Sequence, residues 1–377
     1  MKPVRLLFSA ISGYGYYYLK TFFEKVPKQE AVLVGVIDPE PERSGWYPEL
    51  LKQQIPVFND MASFFKEGYE ADLTVISSPP HHHVPQAITA LQHGSHVLMD
   101  KPAGITPNEV LQLIRISGQT GKWVEVGYQW SFSRAIQELK TDIRSGKYGY
   151  SKRLKTICLW PRDYTYYSRN NWAGRIRSGD GTLVLDSPAH NACAHFMHNL
   201  FFLTGAELHE ISGFISVKAS LYRAYNIESF DTISGELQTL DGTGYFFYFS
   251  HVTEKSREPE FHALFEEAEI LLQPDTRHIV VIQQGKVIRN YGNPDEDAQF
   301  KKLFHAIRAV HENRSPVCPP QSAITQVTAV NAIHASMATI HTFPDHLIVA
   351  ENNRRWVKNL GDELGKCYDK WEIFTNL

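Results

Sequence analysis

Three polar residues, far apart in a chain of 377, are of the types needed to move a hydride and a proton at one carbon: Lys101, Asp186 and His190. Oxidising an alcohol sends a hydride from carbon to an acceptor and a proton from the hydroxyl to a base. A protein that does this must position the carbon and supply the base. An imidazole titrates near working pH, which suits His190 to that role. In the run Asp186-Ser187-Pro188-Ala189-His190, Ser187 reads as a helix N-cap and Pro188 as the first helical residue. His190 then falls in the first turn, where the positive end of the helix dipole lowers its pKa and keeps it neutral. Asp186, just before the cap, is placed to hold substrate hydroxyls or to orient the histidine. Lys101 ends an apolar run and precedes Pro102, and its ammonium can stabilise a developing alkoxide. Singly, each has a plainer reading: a solvated lysine in a turn, an Asp-Ser cap, a histidine satisfied in a core or at the surface.

A second group lies at the start of the chain. After the apolar run Val4 to Ile11, a turn built for a dinucleotide pyrophosphate calls for glycines spaced G-x-G-x-x-G. The register here is Ala10-Ile11-Ser12-Gly13-Tyr14-Gly15, so only Gly15 matches. Ala10 and Ser12 are nevertheless small enough for backbone amides and a helix N-terminus to approach a phosphate. Asp38 ends the next apolar run, where a carboxylate accepts both ribose hydroxyls of NAD and repels the 2′-phosphate of NADP. Arg43 lies close by and opposes that preference. NAD is therefore expected, with NADP possible. A third group is a loop crowded with Trp160, Arg162, Tyr164, Tyr166, Tyr167, Arg169, Trp172 and Arg175. Aromatic faces and forked guanidinium donors suit a polyhydroxylated or acidic substrate. Equally, aromatics this dense pack a domain or subunit interface.

These residues need elements to hold them. The first third alternates apolar runs (Val4 to Ile11, Ala31 to Ile37, Leu73 to Ile76, His96 to Met99, Trp123 to Gly127) with helical stretches (Tyr16 to Val26, Val84 to Leu91, Asn108 to Ser117). Strands apolar on both faces and separated by helices imply a parallel, doubly wound sheet, a Rossmann-type α/β domain. After about residue 128 the pattern changes. A helix over Ala135 to Ser145 is followed by alternating stretches at Leu154 to Trp160, Ile211 to Ala219, Thr232 to Leu240, Gly244 to Ser250, Ala268 to Leu272 and His278 to Ile282. Turns at Asp241-Gly242 and Gln284-Gly285 favour antiparallel pairing. Helices are expected over Ala189 to Leu203, Asp297 to Glu312 and Ser322 to His341. The expected division is thus 1–128, a dinucleotide-binding domain; 129–345, an α+β domain with a large, predominantly antiparallel open sheet; and 346–377, an extension that the pattern does not place.

Three further motifs carry a resemblance. Ser77-Ser78-Pro79-Pro80-His81-His82-His83 resembles a T-P-N-x-x-H segment, with His83 on its histidine. Asp100-Lys101-Pro102 resembles E-K-P, and Gly179 through His190 resembles G-G-x-x-x-D-x-x-x-H. Their order and spacing are similar to those of the Gfo/Idh/MocA oxidoreductases, over roughly residues 4 to 345. The resemblance implies NAD(P)-dependent oxidation of a hydroxyl carbon in a sugar, cyclitol or related polyol. It puts Ser78, Pro79, His83, Lys101 and Gln129 beside the cofactor with Ala10, Ser12, Gly13, Tyr14, Gly15, Asp38 and Arg43. It puts Tyr128 at the substrate with Tyr164, Arg169, Trp172, Arg175, Lys101, Asp186 and His190. It also implies a cis-proline at Pro102, and a homodimer or homotetramer formed through the outer face of the open sheet. The chain departs from the family at Asp100, where Glu is usual, and at Cys193, where many members carry an acid. Other activities known on this fold are glycoside hydrolysis by transient oxidation and non-enzymatic dinucleotide sensing.

Composition narrows the classes. Net charge is -3, so no basic field calls for nucleic acid or an anionic membrane surface. The four cysteines form no CxxC pair, and the adjacent histidines His81 to His83 do not have metal-site spacing, so no metal is expected. Met1 to Arg5 runs straight into a strand pattern without signal-peptide features, and the apolar stretches are too short to cross a bilayer. A cytoplasmic enzyme with reduced thiols is the expectation.

Overall fold

The computed structural model describes residues 2–296, 300–336 and 339–375. The chain forms two compact units, Met1–Phe132 with Asp297–Ile324, and Ser133–Glu296 with Thr325–Leu377.

The first unit is built on six parallel strands: β1 (Val4–Ser9), β2 (Ala31–Ile37), β3 (Val57–Phe58), β4 (Leu73–Ile76), β5 (His96–Met99) and β6 (Val124–Val126). Their order in the sheet is β3-β2-β1-β4-β5-β6. Chain direction across the sheet reverses between β1 and β4, and a doubly wound sheet opens its ligand crevice at that point, off the carboxyl ends of the strands. Helix Pro107–Thr120 shows how sequence sets an element's ends. The Thr106 side chain accepts from the Glu109 N–H, the Glu109 carboxylate reaches back, and Gly121 closes the helix at φ 66°. Helix Lys301–Glu312 packs Leu303, Ala306 and Ile307 into the same core as Leu6, Phe8 and Leu33. This stretch, which the sequence pattern assigns to 129–345, therefore builds on the first unit. Residues 297–299 of the expected helix Asp297 to Glu312 lie outside the described residues.

The second unit holds a nine-stranded sheet: β7 (Ser151–Leu159), β8 (Phe214–Arg223), β9 (Thr232–Thr239), β10 (Gly244–Ser250), β11 (Arg257–Phe265), β12 (Glu269–Leu272), β13 (Ile279–Gln283), β14 (Lys286–Gly292) and β15 (His341–Thr342). The order is β14-β13-β12-β11-β7-β10-β9-β8-β15, antiparallel except at β10–β7 and β15–β8. Gln284 and Gly285 both sit at positive φ, 49° and 72°, the tight hairpin turn that the sequence signals. Helix Pro320–Ser336 begins two residues before the expected Ser322, and residues 337–338 of the expected span lie outside the described residues. Residues 341–342 form a strand instead.

The largest correction concerns the tail. Residues after 343 form a hairpin, β16 (Ile348–Glu351) with β17 (Arg354–Val357), and then helix Leu360–Lys370. Leu360, Leu364 and Tyr368, spaced four apart, put one helix face onto Ile157, Leu159, Phe246 and Tyr248 of the sheet. The Lys155 ammonium donates to the Tyr368 carbonyl at 2.5 Å and so caps the helix end, while burial lowers its pKa to about 8. This part of the open sheet face, assigned above to a second copy, is thus covered by the chain's own tail. Leu364→Ala is expected to cost about 2–5 kcal/mol, read as a lowered denaturant midpoint; an unchanged midpoint would mean the tail contributes no packing energy.

Candidate active site

In the first unit the predicted residues gather along the carboxyl edge of the parallel sheet. Ala10 leaves β1 at φ 64° and Gly13 follows at φ 54°. A Cβ on Gly13 would meet nothing within 4 Å, whereas one on Gly15 would lie 2.0 Å from the Ala10 carbonyl oxygen. Gly15 is therefore the turn's steric requirement, and Gly13 leaves open space over the backbone at the N-terminus of helix Tyr14–Lys25. The Ser12 hydroxyl is buried with no hydrogen-bond partner among the described residues. An open helix N-terminus, a bare backbone and an orphaned hydroxyl together fit a phosphate. Gly15→Ala is expected to weaken dinucleotide binding at least about tenfold, because the turn must open to admit the methyl group; nicotinamide fluorescence titration reads it.

Asp38 is buried and already accepts from the backbone N–H of Ile11 at 3.0 Å and of Glu40 at 2.9 Å, so it fixes the turn from the neighbouring strand. Arg43 pairs with Glu40 at 2.7 Å on the surface, which offsets the charge it could offer a 2′-phosphate. Ser78 and Ser9 both donate to the Gln86 amide oxygen, at 2.8 and 2.9 Å, joining the ends of β4 and β1. His83 is buried with Nδ1 3.0 Å from the Pro102 carbonyl and Nε2 2.8 Å from the Ser78 carbonyl. Burial pushes its pKa down, against the two carbonyls that favour the protonated ring, and which nitrogen donates depends on the tautomer. Either way it braces the Ser78-Pro79 loop against the loop that carries Lys101. The Lys101–Pro102 peptide is cis. Tyr128 is buried, and Gln129, half-buried, opens the short helical turn Gln129–Phe132.

Sequence reasoning missed Lys302. Its amine is buried and lies 2.7 Å from Asp100 Oδ1, 3.2 Å from the Gly127 carbonyl, and 4.8 and 5.0 Å from the ring centres of Tyr14 and Tyr18. Burial opposes its charge, but Asp100, with Tyr14 and Tyr18 adding, holds its pKa well above the ordinary value. One buried cation thus ties the residue before Lys101 to the end of β6.

In the second unit Asp186 and His190 are both buried. The sequence pattern starts the local helix at Ala189. The structure starts it at Ala194, and 187–193 form a chain of turns. Cys193 donates to the Pro188 carbonyl and Asn191 to that of Ser187, which delays the regular helix. His190 therefore precedes the helix, and the dipole argument above does not apply to it. The Ser187 hydroxyl still accepts from the His190 N–H at 3.3 Å, a capping contact within the turn. Leu185 sits at φ 49°, unusual for a branched side chain, and turns Asp186 inward. Asp186 accepts from the Gly174 N–H at 2.6 Å and from Asn191 Nδ2 at 2.9 Å. Its carboxylate thus fastens the Trp172–Arg175 turn to the turn bearing His190.

The aromatic loop folds over this corner. Asp163 caps the short helix Tyr164–Ser168 by accepting from the Tyr166 N–H at 2.8 Å. The Arg169 guanidinium lies 3.6 Å from the Tyr166 ring centre and 5.2 Å from that of Trp172. Tyr164 packs edge-on against Tyr225 and accepts from Arg355 Nε at 2.6 Å, so it belongs partly to the tail's packing. The Arg175 side chain is exposed, while its carbonyl accepts from the Asp186 N–H. His251, also missed by sequence reasoning, is buried against Tyr166 and Tyr167, with Nδ1 3.2 Å from the Tyr167 hydroxyl. Burial, with Arg162 and Arg169 nearby, pushes its pKa well below the ordinary value.

With the geometry in place, similarity to known proteins adds the rest. A family model described as oxidoreductase family, NAD-binding Rossmann fold, matches residues 9–128. A 1-carboxy-3-chloro-3,4-dihydroxycyclohexa-1,5-diene dehydrogenase of Comamonas testosteroni is 32% identical over 159 residues, 42% of this chain and 38% of that one. An inositol 2-dehydrogenase of Rhodococcus jostii is 28% identical over 81 residues, 21% of this chain and 22% of that one. The match thus spans less than two fifths of the length of either relative. The fold extends much further. The WlbA dehydrogenase from Chromobacterium violaceum, solved with NADH and UDP-GlcNAcA, superposes with a TM-score of 0.73 at 17% identity, covering 96% of this chain and 97% of that one. An apo scyllo-inositol dehydrogenase from Lactobacillus casei gives 0.67 at 16% identity, covering 89% and 96%.

Proposed function

We propose, from the family-model match over residues 9–128, that the chain is a member of the Gfo/Idh/MocA oxidoreductase family and an NAD-dependent dehydrogenase acting on a hydroxyl carbon of a sugar, cyclitol or related polyol. The observation that carries the reading is the carboxyl edge of the parallel sheet. There the open Gly13 turn, Asp38 and the Lys101–Pro102 loop stand at the ends of β1, β2 and β5, on both sides of the switch point. NAD, when bound, supplies the hydride acceptor. The Gly13 backbone and the Ser12 hydroxyl receive its phosphates, and Asp38 accepts from its ribose hydroxyls. The 2′-phosphate of NADP would meet the Asp38 carboxylate, with Arg43 already paired to Glu40, so NAD is the preferred cofactor.

Lys101 holds the reacting oxygen through its ammonium and stabilises the charge that grows there. A neutral His190 takes the hydroxyl proton at a ring nitrogen. Asp186 acts as a positioning residue, since its two oxygens are engaged by Gly174 and Asn191 on either side of the histidine turn. A cytoplasmic enzyme fits this chemistry. A homodimer or homotetramer would use a surface other than the tail-covered part of the sheet. Among the described residues no helix is long and apolar enough to cross a membrane.

The test is a panel of inositols, neutral sugars and sugar acids with NAD and with NADP, followed by absorbance of the reduced cofactor. At least one compound should reduce NAD faster than NADP. Saturable cofactor binding without reduction by any compound would sink the dehydrogenase reading.

A further inference from the structure

The second unit carries a cleft of about 500 Å³ whose wall includes Arg162, Asp163, Tyr166, Arg169, Ser256 and Arg354. Three guanidinium groups on one cleft is an unusual concentration of fixed charge, and among the described residues none of them forms an ion pair with a carboxylate. Asp163, the acidic residue in the same wall, is engaged in capping Tyr166 and bridges Arg354 through the backbone only. The guanidiniums are held by neutral groups instead. Arg162 lies over the Trp160 and Tyr166 rings, Arg169 donates to the Tyr166 carbonyl, and Arg354 donates to the carbonyls of Glu254, at 3.1 Å, and Thr253. In both Arg162 and Arg354 the Nε–H is buried and has no acceptor among the described residues. A buried donor of this kind costs free energy until an acceptor arrives, and two beside a roomy cleft point to a ligand with oxygens to offer.

A hydrogen-bond chain links the cleft wall to the proposed catalytic corner within the same unit. Tyr166 in its wall receives Asn191 Nδ2 at 3.4 Å, and the same amide donates to Asp186 at 2.9 Å. Tyr166 therefore couples a molecule seated against the arginines to the turn that bears His190. The tail supplies part of the wall. Tyr164 donates its N–H to the Asn353 carbonyl at 3.0 Å, and Asn353 Nδ2 donates to Thr165 Oγ1 at 3.0 Å. These contacts fix β17, and with it Arg354, to the aromatic loop.

We infer that this cleft binds an oxyanion of the substrate, a carboxylate or a phosphate, so that the enzyme acts on an acidic sugar or polyol rather than a neutral one. The inference rests on the dehydrogenase reading for the reaction but not for the binding. Forked guanidinium donors match the paired oxygens of either anion, and a volume of this size accommodates the sugar with its charged group.

Calorimetry with glucuronate, glucose 6-phosphate and glucose, in the presence and absence of NAD, tests it directly on the full chain. One of the two anions should bind at least about tenfold more tightly than glucose. That preference should fall about tenfold or more in Arg162→Gln and in Arg354→Gln, with melting temperature as the check on folding. Glucuronate ahead of glucose 6-phosphate identifies a carboxylate subsite, and the reverse order a phosphate subsite. Should either variant fail to fold, Arg169→Gln, at an exposed position, is expected to lower the same preference. Glucose binding as tightly as both anions, or an anion preference unchanged in the folded variants, overturns the subsite. Anion binding that passes these checks without cofactor reduction by any compound would leave the subsite standing and sink the dehydrogenase reading instead.

Discussion

His190→Asn is expected to lower kcat by about 10²–10⁴-fold, the range attached to losing a general base. The asparagine keeps a polar side chain of similar reach in the turn held by Ser187 and Asp186, so the fold should survive. What it lacks is a nitrogen that accepts a proton near neutral pH. An interaction made only in the transition state affects kcat and kcat/KM together, so KM should change little. Cofactor affinity, set by residues of the first unit, should not change. The pH dependence that a general base confers on the wild-type rate should be absent from the variant. Single-turnover measurements with a substrate deuterated at the reacting carbon keep product release from hiding the effect. Retention of more than about a tenth of the wild-type single-turnover rate, with that pH dependence intact, would remove His190 from the base role and leave the proton to another group in the same corner, such as Tyr166.

The parallel sheet was legible because its strands are buried on both faces and so read as continuous apolar runs. Leu73–Ile76 is buried at every position. The two-residue strand β3 and the short helices Tyr47–Lys52 and Met61–Lys66 fall below the length at which periodicity can be read. In the second unit β11 escaped because Arg257, Glu258, Pro259 and Glu260 open it, a sequence that reads as a loop. The Arg257–Glu260 ion pair, at 2.7 Å, sits there beneath the tail helix. That helix was missed in turn because Gly361 and Gly365 dilute its pattern, although the spacing of Leu360, Leu364 and Tyr368 carries the signal. At the candidate site the turn at Gly15 was legible by its spacing, whereas Ser187-Pro188 read as a helix start that the structure moves to Ala194. Arg354 and Lys302 were not legible. Lys302 acts on Asp100, 202 positions away, and Arg354 on Glu254, 100 positions away, and no single-sequence pattern encodes such pairings. The same limit explains why Asp186 read as a possible substrate ligand: its partner Gly174 comes from a turn whose approach only the fold sets.

Lys302→Met is expected to cost about 3–5 kcal/mol of unfolding free energy, because it removes one member of a buried ion pair and leaves the other charged. Methionine fills most of the lysine's volume, so the loss reports charge rather than packing. Loss of the cation would raise the folded pKa of Asp100 above its value in the wild type, favouring the protonated form more than before. Stability gained from that protonation is present at low pH and is lost as pH rises through the new folded pKa. The deficit relative to wild type should therefore be larger at pH 8 than at pH 5, measured by chemical unfolding. Adding Asp100→Asn to Lys302→Met should restore about half of the loss or more, since the buried charge disappears with its partner. The pair also bears on function. Asp100 precedes Lys101 and Lys302 reaches the Gly127 carbonyl, so the ion pair fixes the loop after β5 relative to the end of β6. The double variant should accordingly fold and bind NAD yet turn over more slowly than wild type, as a displaced Lys101 would predict. Equal loss in the single and double variants at both pH values would show that Lys302 contributes its hydrocarbon stem to packing and that its charge holds nothing in place.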